Sequence, residues 1–98
     1  MKCREVEEGL RRKGFELVRK KNDSHKYFYL RYPDDKINYQ IGTKIQDHGN
    51  IKDIKMADIK RMRKQLKLRS LKDFKDLINC PKSKDQYISE LKADKHLR

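Results

Sequence analysis

The chain has 98 residues, 43% of them charged and 35% hydrophobic, and a net charge of +12. That length suits a single domain with one modest core, and no apolar run approaches the ~20 residues of a membrane span. The positive excess favours an anionic partner: nucleic acid, an anionic surface or an acidic protein.

The opening MKCREVEEGL has no apolar h-region of a secretory signal, so export is not expected and the cytoplasm is the expected compartment. Within the opening, Cys3, Val6 and Leu10 fall on one face at helical spacing, and Gly14 stands at the C-terminal stop. A first helix is expected over 3–13. Gly9 inside it weakens the helix slightly and offers a place for close backbone approach.

FELVRK (15–20) reads as a strand, KNDS (21–24) as a turn, and the aromatic-rich HKYFYLRY (25–32) as a second strand. PDDK (33–36) is a second turn. INYQIGTKI (37–45) reads as a half-buried strand with Ile37, Tyr39 and Ile41 alternating against Asn38, Gln40 and Gly42. The short links predict an antiparallel meander.

After the loop QDHGN (46–50), a helix is expected over roughly 54–67, with Ile59, Met62 and Leu66 as its apolar stripe and Lys60, Arg61, Lys64 and Lys67 opposite. Ser70 with Asp73, and Ser83 with Gln86, carry N-cap signals for two short helices on either side of Pro81. Phe74, Leu77 and Ile78, then Tyr87, Ile88 and Leu91, are their packing residues. The fold class is therefore α+β: α-β-β-β-α with a three-stranded antiparallel sheet, helices on one face and two short C-terminal helices.

The charge is uneven. Residues 51–76 hold ten Lys/Arg and four Asp/Glu, half of the net excess. Arg11, Arg12 and Lys13, then Arg19, Lys20 and Lys21, form further basic clusters. A cationic face for nucleic acid and a plain solvated surface both fit. Cys3, Cys80 and the three histidines lack metal-ligand spacing, so neither a metal nor another cofactor is expected, and both cysteines read as small buried side chains.

His25 poses the functional question. Strand parity puts it with Tyr27, Tyr29 and Arg31 on one side, opposite Phe28 and Leu30. If Phe28 and Leu30 face the helices, His25 lies on an open face beside two tyrosines. It is then either a proton-transfer group or a polar residue that starts a strand. The tyrosines either stack on unpaired bases or cover the sheet.

Three stretches carry a family likeness: MKCREVEEGLRRKGFELVRK, DSHKYFYL and HGNIKDIKMADIKRMRKQLKL. Over 1–69 the chain resembles the HicA mRNA-interferase toxins of type II toxin–antitoxin systems, whose fold is like that of double-stranded RNA-binding domains. The resemblance implies a HicA-like domain over 1–69 with a helical extension over 70–98 packed on it. It implies metal-independent cleavage of messenger RNA, His25 as the catalytic histidine and His48 as a second catalytic or contacting one. A HicB-like antitoxin is the implied protein partner. Asp23 stands where the family usually has glycine, and Lys26 where a second histidine is common. The RNA contacts expected are Lys20, Lys21, Lys26, Tyr27, Tyr29, Lys44, Lys60 and Lys64.

Two other readings stay open. One is a non-catalytic RNA binder of the same fold. The other treats MADIKRMRKQLKLRSLKDFKDLIN as a helix-turn-helix-like DNA-binding unit, although Asp73 and Asp76 suit phosphate poorly.

Overall fold

The computed structural model describes residues 1–46, 53–79 and 81–97. The elements follow in the order α1 (Cys3–Arg12), β1 (Phe15–Arg19), β2 (His25–Arg31), β3 (Ile37–Gln46), α2 (Met56–Gln65), α3 (Leu71–Ile78) and α4 (Lys84–Ala93). The strands form one antiparallel sheet in the order β1-β2-β3. This is the expected α+β arrangement. Among the described residues no helix is long and apolar enough to cross a membrane.

Register decides which face is buried. Phe15 pairs with Leu30 and Leu17 with Phe28, so these four side chains share one face. Phe28 and Leu30 are fully buried and join Val6 and Leu10 of α1, Ile59 and Met62 of α2, and Phe74 and Leu77 of α3 in one core. Tyr87 and Leu91 of α4 belong to the same cluster, and the Tyr87 ring lies 6.0 Å from that of Phe15. The C-terminal helices thus complete the helical layer and leave the opposite face of the sheet uncovered by them.

The caps expected for the last two helices are made. Ser70 Oγ accepts from the Asp73 amide and Ser83 Oγ from the Gln86 amide, both at 3.1 Å. Gly9 is where α1 and α3 meet: a Cβ there would lie 2.5 Å from the Ile78 carbonyl oxygen. Gly14, at φ +88°, ends α1 as its position predicts.

Three expectations are corrected. First, α2 stops at Gln65, two residues before the expected end. Lys67 takes a left-handed φ of 60°, and the amides of Lys67 and Leu68 bond back to the carbonyls of Lys64 and Arg63. That is a Schellman stop built without glycine, so its sequence signal is missing. Second, the third strand does not alternate throughout. Leu30 pairs with Asn38 but Tyr29 with Gly42, so Tyr39, Gln40 and Ile41 bulge between consecutive pairs. Ile41, Thr43 and Ile45 face the core, whereas Tyr39 is 66% exposed and lies against Tyr29. Third, the basic cluster at residues 11–13 is not all solvated. Lys13 is buried with Nζ 2.6 Å from the Leu77 carbonyl oxygen, and Arg12 donates to that of Ile78. Both satisfy the C-terminal carbonyls of α3, where a cation is favoured.

Candidate active site

The turn before β2 builds the site. Asn22 adopts φ 61°, and the Asp23 amide donates to the Lys20 carbonyl. The Asp23 side chain then folds onto the strand it precedes. Its Oδ1 accepts the His25 backbone N–H at 2.8 Å and lies 2.9 Å from His25 Nδ1, while Oδ2 accepts the Tyr27 hydroxyl at 2.5 Å. Aspartate is suited to such a turn because its carboxylate reaches the amide two residues on.

The electrostatics follow from these contacts. The Tyr27 hydroxyl, then the His25 amide and ring, hold the Asp23 carboxyl well below the usual carboxylate range. The same bond pushes the Tyr27 phenol upward, since losing its proton would face a carboxylate. An ionised carboxylate only accepts, so Nδ1 of His25 carries the proton and Nε2 holds the lone pair in the neutral ring. Among the described residues Nε2 has no hydrogen-bond partner, and the side chain keeps 31% of its surface exposed. An imidazole oriented in this way can take a proton from a bound hydroxyl.

His25 begins a row of rings across the open face. Its centroid lies 6.4 Å from that of Tyr27, Tyr27 lies 6.2 Å from Tyr29 with planes 9° apart, and Tyr29 meets Tyr39 edge-on at 5.0 Å. Gly42 makes room for the row, because a Cβ there would lie 2.5 Å from the Tyr29 ring. Lys20 Nζ sits 4.0 Å from the Tyr27 centroid and 5.7 Å from that of Tyr29. The neighbouring Tyr29 phenol is the main cause that raises the Lys20 pKa. Lys44 is cross-strand from Tyr27 and shares its face. At the far end Arg31 is paired with Glu16, so the positive charge of the open face collects toward His25.

Beside His25 a cleft of about 80 Å³ is lined by Cys3, Gln46, Lys55, Asp58 and Arg61, among others. Arg61 is fixed there by Asp58 at 3.2 Å and by the Lys44 carbonyl at 2.9 Å. Cys3 is a buried free thiol whose pKa is raised by burial, so it suits packing rather than nucleophilic attack. Among the described residues no group of three or more His, Cys, Asp or Glu side chains is placed to hold a metal ion.

The expected site residues divide. His25, Tyr27, Tyr29, Lys20 and Lys44 come together, and Lys21 is exposed in the adjoining turn. Lys26 points to the other face and pairs with Glu7 of α1 at 3.1 Å, where both side chains are under 15% exposed (12% and 13%). Alternation along β2 sends it there, so it does not share the tyrosine face. Lys60 and Lys64 are exposed on α2, whose Gln65 bonds the core-facing Thr43, so they lie across the sheet from the rings. His48 and Cys80 lie outside the described residues.

Sequence reasoning misses Asp23, Tyr39 and Arg61 as members of the site. The Asp-x-His spacing carries a signal for the first. The bulge hides the second, and nothing local marks the third. No family model, curated protein or solved structure matches the chain.

Proposed function

We propose that the chain is a HicA-like ribonuclease that cleaves messenger RNA without a metal, with His25 as its proton-transfer residue. The observation that carries this reading is the Asp23–His25 contact, which orients the imidazole and leaves Nε2 unpartnered among the described residues. In the proposed step, Nε2 takes the proton of a ribose 2′-hydroxyl. The 2′-oxygen attacks the adjacent phosphorus, the bond to the 5′-oxygen breaks, that oxygen takes a proton from solvent water, and the His25 imidazolium returns its proton to solvent. The products are a 2′,3′-cyclic phosphate and a 5′-hydroxyl.

Asp23 serves this step as a positioning residue, since its charge stabilises the imidazolium that forms. Lys20, Lys44 and Arg61 are the cations suited to the charge on the phosphate. An acidic, HicB-like antitoxin is the proposed protein partner, binding over the basic surface and His25.

Expression of the wild type and of His25→Ala in a bacterial host tests the reading. Slowed growth with fragmented total RNA is expected for the wild type alone. Equal growth and intact RNA for both, at matched protein levels, would sink it. Salt-sensitive RNA binding without cleavage products would instead assign the chain as a non-catalytic binder.

A further inference from the structure

We infer that Tyr39 and Tyr29 form a nucleobase subsite that takes an unpaired base and positions the strand so that a phosphate reaches His25. This rests on the ribonuclease reading for its catalytic consequence, but not for the binding itself.

Three independent features support it. Tyr39 is one of two large hydrophobic side chains exposed among the described residues, and the bulge separates it from the core-facing Ile41, with which simple alternation would group it. Its ring stands edge-on to Tyr29 at 5.0 Å, so the pair presents a bent aromatic corner with an open flank. Gly42 lies where a side chain would collide with the Tyr29 ring, so the corner is sterically kept clear from below.

Charge along the row gives it direction. Arg31 is neutralised by Glu16, and Lys20 lies over Tyr27, between the corner and His25. A strand would therefore place a base at Tyr39 and Tyr29, a phosphate at Lys20 and Lys44, and the next reactive phosphodiester at His25. Successive ring spacings of 5.0 to 6.4 Å are comparable to one nucleotide step of an extended strand. A duplex does not fit, because its base faces are already stacked on one another and only unpaired bases offer a π-face to tyrosine.

The test is fluorescence anisotropy with labelled 2′-O-methyl oligonucleotides, which have no 2′-hydroxyl to react and stay intact with the wild-type protein. The probes are a 2′-O-methyl adenosine dodecamer, an abasic strand with the same backbone, and a duplex of the dodecamer. The wild type should bind the dodecamer more tightly than either of the others. Tyr39→Ala should lose about tenfold in affinity for the dodecamer. It should bind the abasic strand as the wild type does. Because Tyr39 is 66% exposed, an unchanged Tm is expected and excludes a folding effect.

Equal affinity of Tyr39→Ala and wild type for the dodecamer overturns the subsite, even if RNA cleavage is observed. Equal wild-type affinity for duplex and single strand also overturns it. Base-dependent binding without any cleavage of ordinary RNA upholds the subsite and defeats the ribonuclease reading. Failure to bind any strand at low salt defeats both.

Discussion

Asp23 holds His25 at two points, accepting its backbone N–H at 2.8 Å and standing 2.9 Å from its Nδ1. The same carboxylate takes the Tyr27 hydroxyl, so one acidic side chain fixes the start of β2 and the ring that projects from it. A glycine at this position could supply neither contact. On the proposed HicA-like reading, Asp23 in place of that family's usual glycine brings its own means of orienting the histidine.

Asp23→Asn should lower kcat on RNA by roughly 10–100-fold, less than for a fully buried orienting carboxylate, because an amide cannot stabilise the imidazolium. Stability gives a second readout. A carboxyl whose folded pKa is depressed contributes stability above its unfolded value and loses it as pH falls through the folded one. The Tm difference between wild type and Asp23→Asn should be full at pH 7 and shrink below about pH 4. A difference that persists unchanged into acid would show that the carboxylate charge is not responsible.

The lysines should separate by face. Lys20→Met and Lys44→Met should each make single-strand binding less salt-dependent, the log–log slope falling by about 0.7 for each phosphate no longer neutralised. The double substitution of Lys60 and Lys64 to Met should leave that slope unchanged. Lys26→Met should instead cost about 3 kcal/mol of stability, because it strands Glu7 in a nearly buried position. Urea titrations alongside salt-dependent anisotropy distinguish these effects.

Gly9→Ala should destabilise the fold. The added Cβ would meet the Ile78 carbonyl oxygen and Cα at 2.5 and 2.9 Å, backbone atoms that move only with α3. A cost of about 1–3 kcal/mol is expected. For a chain of this size that lowers Tm by on the order of 5–20 °C. A variant as stable as the wild type would mean that α1 and α3 can separate freely.

Lys67→Gly should act in the opposite direction. Lys67 holds a left-handed φ of 60° at the end of α2, a conformation glycine adopts without a Cβ penalty. A gain of about 0.5–1 kcal/mol is expected, with RNA binding unaltered. Thermal unfolding measures it, and any loss would show that the lysine side chain contributes more than its backbone strain.

Much of this arrangement is legible in the amino-acid sequence. Period-two and helical spacings locate every element, because Phe28, Leu30, Val6 and Leu10 bury the faces those periods define. The sharing of one face by His25, Tyr27 and Tyr29 follows from alternation alone. What alternation cannot register is a bulge, so it groups the exposed Tyr39 with the buried Ile41. Charge counting is equally blind to contact. Lys13 and Lys26 add to a basic total, yet one satisfies the end of α3 and the other pairs with Glu7. Arg61 reaches the site only because α2 packs along β3, a tertiary relation with no local signature.

The central claim is most directly tested with purified protein and a DNA oligonucleotide carrying a single ribonucleotide, incubated in EDTA and resolved by mass spectrometry. The wild type should cut after the ribonucleotide to leave a 2′,3′-cyclic phosphate, and His25→Ala should be slower by roughly 10²–10⁴-fold. An uncut substrate with the wild type, or equal cutting by His25→Ala, would contradict the account.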